Sequence, residues 1–221
     1  MLVLIGNTKG GVGKSVETIQ IAAARALQGR NVLVADGDRQ GTSSKAIGVR
    51  MSAEIAPSIA CVHFTKGTEY HTQIRHQAKL YDDVIMDCGG HDSQTLRYAL
   101  GLADVVVVPY QPRPFDTWAL EQLSELIDEV QAARLDAGRP PLRVICHLNS
   151  ADPGINSQDN IDAEKVLVHF PQLTFVKSAL VRRKAFPLSA AQGMCVFETM
   201  PAGDKSCDEL KRLLKHIFQG E

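Results

Sequence analysis

A chain of 221 residues with 44% hydrophobic content is long enough to bury one sizeable core, and its near balance of 24 basic and 25 acidic side chains excludes a globally basic polyanion binder. No run of about 18 apolar residues occurs, and the N-terminus enters a strand pattern rather than a signal peptide, so a single cytoplasmic domain over residues 1–221 is expected. Cys61, Cys88, Cys146, Cys195 and Cys207 are scattered and never form a C-x-x-C pair, which argues against a disulfide framework and a zinc site alike.

The first apolar run, Leu2–Ile5, leads into Gly6-Asn7-Thr8-Lys9-Gly10-Gly11-Val12-Gly13-Lys14-Ser15. A glycine-rich turn between strand and helix lets backbone N–H groups and the helix N-terminus face an anion. Gly10, Gly11, Val12, Gly13, Lys14, Ser15 and Val16 are therefore nucleotide-binding candidates, with Lys14 placed to neutralise phosphate and the Ser15 hydroxyl to meet Mg²⁺. A helix is predicted from Lys14 to about Gln28, with Ile19, Ala22, Ala23, Ala26 and Leu27 on one face and Gly29 as its stop.

Further strands are predicted at Asn31–Ala35, Val84–Met86, Val105–Val108, Leu142–Leu148 and Leu173–Val176. Helices are predicted at Ser93–Leu102, Thr117–Leu135, Asn160–His169 and Asp204–Phe218. The strand runs lack two-residue alternation, as strands buried on both faces should. This rhythm gives an α/β fold, a mainly parallel β-sheet flanked by helices on both faces, with ligands at the carboxyl ends of the strands. Arg139-Pro140-Pro141 and Asp152-Pro153-Gly154 read as loops within that domain.

Acids stand at those carboxyl ends. The second predicted strand runs into Asp36-Gly37-Asp38-Arg39-Gln40-Gly41, and the third ends at Asp87. Two acids at strand ends beside a phosphate loop call for a cation between them and the triphosphate. His63, His71 and His76 lack metal-ligand spacing and read as surface residues.

The run Lys9-Gly10-Gly11-Val12-Gly13-Lys14-Ser15 resembles the deviant phosphate loop K-G-G-x-G-K-[ST] of the ParA/MinD ATPases, to which the nitrogenase iron protein is related. Asp36 to Gly41 resembles that family's D-x-D-P-Q-G segment, with Arg39 in place of proline. Leu102-Ala103-Asp104-Val105-Val106-Val107-Val108-Pro109, followed by Tyr110-Gln111-Pro112, resembles its A-A-D strand. The resemblance implies a deviant Walker phosphate-loop fold, ATP and Mg²⁺ as cofactors, and Ser15, Asp36 and Asp87 as the groups around the metal. It implies catalytic roles for Lys9, Lys14 and Asp38: Lys14 on the phosphates, Asp38 on the attacking water, and Lys9 reaching across an ATP-bound homodimer to the partner's nucleotide. Asn149 occupies a position from which related proteins contact adenine; an Asn in a strand-to-loop turn is the plain alternative. Val16 in place of threonine, and Cys88-Gly89-Gly90 in place of T/A-P-P, depart from the pattern.

Arg182-Arg183-Lys184 and the segment after it resemble the small plasmid-partition members. That implies a partition ATPase associated with the nucleoid, bound non-specifically to DNA, and stimulated by a ParB-like or cargo-adaptor protein. Arg182, Arg183, Lys184, Lys211, Arg212 and Lys215 could form the DNA surface, since phosphate contacts need only clustered cations; a merely solvated charged face explains them too. The tail Leu210 to Phe218, apolar on one side and basic on the other, leaves a MinD-like membrane contact as the alternative, with packing of that helix on the domain favoured because no flexible spacer precedes it. An iron–sulfur reductase would need a second cysteine suitably placed beside Cys88, and the surroundings of Cys61 do not supply it.

Overall fold

The computed structural model describes residues 1–90, 93–113, 117–154 and 157–219. Its elements run β1 (Leu2–Ile5), α1 (Lys14–Leu27), β2 (Val32–Asp36), α2 (Thr42–Ser52), β3 (Ala60–His63), α3 (Gly67–Gln77), β4 (Asp83–Asp87), α4 (Gln94–Leu102) and β5 (Val105–Tyr110). The second half adds α5 (Thr117–Asp136), β6 (Arg143–Ala151), α6 (Gln158–Leu167), β7 (Thr174–Phe175), β8 (Leu180–Val181), α7 (Ala185–Ala190), α8 (Val196–Thr199) and α9 (Lys205–Ile217). The strands pair in the order β3-β2-β4-β1-β5-β6-β7, with β8 also on β6, and every pairing is parallel.

Both faces of the sheet are buried, which is why its strands show no polar alternation. Val3 and Ile5 of β1 join the apolar layer that contains α1 and α9, whereas Leu4 joins the layer that contains α4 and α5. The predicted strands and helices all appear, with ends shifted by up to three residues. Ser93 and Asp204 stand just outside their helices as N-caps, accepting from the N–H groups of Leu96 and Ser206.

The span from 42 to 77 holds a helix, a strand and a helix that the sequence pattern does not announce. In β3 every residue is at least partly exposed, and α3 buries only Gly67, Tyr70 and Ile74. Edge elements with so little apolar surface carry weak periodicity. Asp87 consequently ends the fourth strand rather than the third.

In α9 the apolar stripe Leu210, Leu213, Leu214 and Ile217 is buried, while Lys211, Arg212 and Lys215 remain exposed. The stripe that could have met a membrane is therefore spent on the core. Among the described residues, no helix is long and apolar enough to cross a membrane.

Candidate nucleotide site

The carboxyl ends of β1, β2 and β4 are adjacent, so the loop after β1 lies beside the acids that end the other two. Gly11 and Gly13 hold φ values of +77° and +97°, which permit the tight turn into α1. Side chains from elsewhere fix the loop. The Asn7 amide donates to the Pro109 carbonyl at 2.9 Å and accepts from Lys9 N–H at 2.9 Å. The Thr8 hydroxyl donates to the Ala119 carbonyl, and the Gln111 amide to the Gly11 carbonyl at 3.2 Å. On the other side, Gly90 comes so close that a Cβ there would lie 2.6 Å from Gly10 N. Gly90, the last residue of that departure, thus has a steric reason: the backbone after β4 abuts the phosphate loop.

Lys14 is buried and donates to the Lys9 carbonyl at 2.8 Å. Burial lowers its pKa, opposed first by the Asp87 charge and then by Asp38. Gly13, Lys14, Ser15, Asp38 and Arg39 share a cleft of about 1030 Å³ that the N-terminal turns of α3 and α4 also line.

Asp36 and Asp87 are fully buried. Asp36 Oδ1 accepts from Asp38 N–H at 3.0 Å, and Oδ2 accepts from Ser44 N–H at 2.8 Å, so this acid also braces the start of α2. Asp87 Oδ2 accepts from the Ser43 hydroxyl at 2.6 Å, while Oδ1 is buried without a hydrogen-bond partner. An orphaned carboxylate oxygen beside a serine hydroxyl is the hard-oxygen chemistry that Mg²⁺ accepts. Among the described residues no three His, Cys, Asp or Glu side chains converge on one point, so a cation here would keep much of its water. Cys88 is fully buried, and burial raises its thiol pKa.

Burial pushes Asp87 up to about 6, with the Ser43 and Ser15 hydroxyls holding it back. The folded value exceeds the ordinary 3.8, so the native state binds this proton more tightly. Asp87 therefore costs stability as pH rises from about 4 to about 6, by up to roughly 3 kcal/mol, and no more above that. Asp87→Asn should remove that dependence. Denaturant melts of both proteins without nucleotide, from pH 4.5 to 7.5, check it; a stability difference that stays flat through the window contradicts a raised Asp87.

Asn149 is put to use against the loop. Its amide donates to the Val12 carbonyl at 2.7 Å, and a Cβ on Gly13 would lie 2.3 Å from Asn149 Nδ2. Its carbonyl oxygen accepts from Ser150 N–H at 2.9 Å. Beside it, Leu148, Ala151, Lys177, Ser178 and Ala179 line a second cavity of about 540 Å³. The Ser178 hydroxyl is fully buried and has no hydrogen-bond partner.

The six basic candidates divide into two kinds. Arg182 pairs with Asp152 at 3.0 Å, and Arg183 grips Glu209 through Nε at 3.1 Å and Nη2 at 2.8 Å. Glu209 raises the Arg183 pKa. Lys184, Lys211, Arg212 and Lys215 are exposed and have no ion pair or hydrogen bond to any described side chain. The last three lie together on α9 at the rim of a cavity that also exposes Phe197 and Phe218.

Neither Asn7, Thr8 and Gln111 nor Ser43 and Ser44 carries a motif signal that marks it as a brace of the site. Asn7, Thr8 and Gln111 do sit in segments the family resemblance singles out; Ser43 and Ser44 do not.

Residues 3–220 match the CobQ/CobB/MinD/ParA nucleotide-binding domain family. The chain is 24% identical over 215 residues to the maintenance of carboxysome distribution protein A of Halothiobacillus neapolitanus, covering 97% of this chain and 94% of that one. It is 28% identical over 170 residues to the chromosome-partitioning ATPase Soj of Thermus thermophilus, covering 65% and 66%. In fold it is similar to an ATP complex of Cyanothece McdA, with a TM-score of 0.77 at 14% identity over 98% and 95% of the two chains. The septum site-determining protein MinD of Pyrococcus horikoshii with Mg-ADP gives 0.69 at 15% identity over 99% and 96%.

Proposed function

The chain belongs to the CobQ/CobB/MinD/ParA nucleotide-binding family and is one of its ATPases, and from that premise we propose that it is a ParA-type positioning motor. It hydrolyses Mg-ATP, dimerises with ATP bound, holds DNA without regard to sequence, and moves a plasmid or other cargo through a ParB-like or adaptor partner. The observation that carries the nucleotide chemistry is the orphaned oxygen of Asp87, a carboxylate beside the Ser15 hydroxyl and the Lys14 charge. The names of the Halothiobacillus and Thermus relatives, for carboxysome distribution and chromosome partitioning, support the positioning role.

In this reading Gly10 to Val16 cradle the phosphates, and Lys14 turns its ammonium from the Lys9 carbonyl to the phosphate oxygens. Ser15, Asp36 and Asp87 would hold Mg²⁺, the two acids largely through water, and the ion would neutralise phosphate charge. Asp38 orients the attacking water, and Lys9 acts on the nucleotide of the other subunit. The base lies beside Asn149, in the cavity where the Ser178 hydroxyl lacks a partner.

The DNA surface centres on Lys211, Arg212 and Lys215 with Lys184, because Arg182 and Arg183 already face acids. ATP raises DNA affinity by joining two such surfaces in one dimer. Replacing Lys211, Arg212 and Lys215 with alanine should flatten the dependence of log affinity on log salt by about 0.9 for each phosphate no longer neutralised, for duplexes of any sequence. Arg182→Ala should change it less. Surface-binding titrations over a salt series with ATP and with ADP test the reading; binding indifferent to nucleotide and to the triple substitution would reject it.

A further inference from the structure

Asp38 sits at the head of a four-residue turn, Asp38-Arg39-Gln40-Gly41, closed by the Gly41 N–H donating to the Asp38 carbonyl at 3.0 Å. The second position of such a turn is where a proline ring fixes φ; here it is Arg39, which supplies no ring, so the turn is held by hydrogen bonds alone, among them Gln40 N–H to Asp38 Oδ1 at 2.9 Å and Lys45 Nζ to the Gln40 carbonyl at 2.8 Å. Arg39 makes no hydrogen bond to any described residue. A carboxylate meant to hold one water in line with a phosphorus atom needs its turn held from outside as well, since a displacement of about 1 Å is costly in rate.

A brace arrives from the neighbouring strand. His63, the last residue of β3, stands opposite Asp36 in the parallel ladder. Its Nε2 lies 2.8 Å from the Asp38 carbonyl oxygen. A carbonyl can only accept, so Nε2 carries the hydrogen and donates it. The ring also covers Gly41, where a Cβ would lie 3.1 Å from His63 Cε1, and Gly41 has a φ of +61° that favours glycine. His63 thus touches both ends of the turn and none of the cleft-lining loop that holds phosphate.

We propose that His63 is a positioning residue for hydrolysis, clamping the Asp38 turn in place of the constraint that Arg39 does not supply. The proposal rests on the reading that Asp38 acts on the attacking water.

Steady-state ATPase measurements with thermal melts test it. His63→Ala should lower kcat about fivefold, the worth of one hydrogen bond, with KM for ATP and the melting temperature little changed. His63→Gln retains an N–H donor and should recover most of that loss. In an Arg39→Pro background, where the ring restrains the turn, the cost of His63→Ala should shrink to less than about twofold, the non-additivity expected when two devices serve one turn. An unchanged kcat in His63→Ala overturns the proposal, as does a loss that tracks thermal stability or stays at full size beside Arg39→Pro. Asp38→Asn run alongside separates the two ideas: if it abolishes turnover while His63→Ala does not lower it, only the clamp falls. If Asp38→Asn turns over normally, the reading of Asp38 falls and the clamp with it.

Discussion

Lys14→Ala should reduce ATP affinity by at least about 100-fold, and with it every ATP-dependent property of the protein. The Lys14 ammonium is buried beside Asp87 and Asp38, so it is the cation that makes an acidic corner habitable for a polyanion. In a desolvated cleft a charge pair with phosphate is worth far more than at a surface, and removal of one partner leaves the other charge uncompensated. The loop itself should survive. Its shape is set by Asn7, Thr8, Gln111 and Asn149, and Lys14 contributes one bond to it, that to the Lys9 carbonyl. Titration calorimetry with ATP, with circular dichroism as the check on folding, measures this. A folded variant with parental affinity would overturn the phosphate-loop assignment.

Asp38→Asn should behave in the opposite way, leaving ATP affinity near the parent level while turnover falls by about 10²- to 10⁴-fold. An interaction realised only in the transition state shows in kcat rather than in ground-state binding. Asparagine is the informative replacement. Asp38 Oδ1 accepts from Gln40 N–H at 2.9 Å, a bond that an amide oxygen can keep, so the substitution removes charge and spares the turn. Single-turnover assays with calorimetric affinities settle the point; equal losses of binding and turnover would take the role away from Asp38.

The sheet was legible in the sequence because strands covered on both faces must be continuously apolar, and Val105–Val108 or Leu2–Ile5 leave no other economical fate for such runs. The phosphate loop was legible because its chemistry needs small residues, a lysine and a hydroxyl in adjoining places. What surrounds it was not. Asn149 and Gly13 are 136 positions apart, and only the folded chain shows that the glycine is required by the amide beside it. Likewise Arg182-Arg183-Lys184 reads as three equivalent cations, and it takes Asp152 and Glu209 to divide them. His63 is exposed, as the sequence suggests, but its bond to the Asp38 turn was not legible, because its partner lies 25 positions upstream.

The abutment of Gly90 on Gly10 has a mechanical meaning. Contacts between side chains are compliant, because a rotamer can yield before the chain behind it moves. Here backbone bears directly on backbone, with no room for even a methyl group between. The two segments therefore cannot close further on one another: a displacement of Gly10 toward Gly90 must move the backbone after β4, since no rotamer lies between them to absorb it.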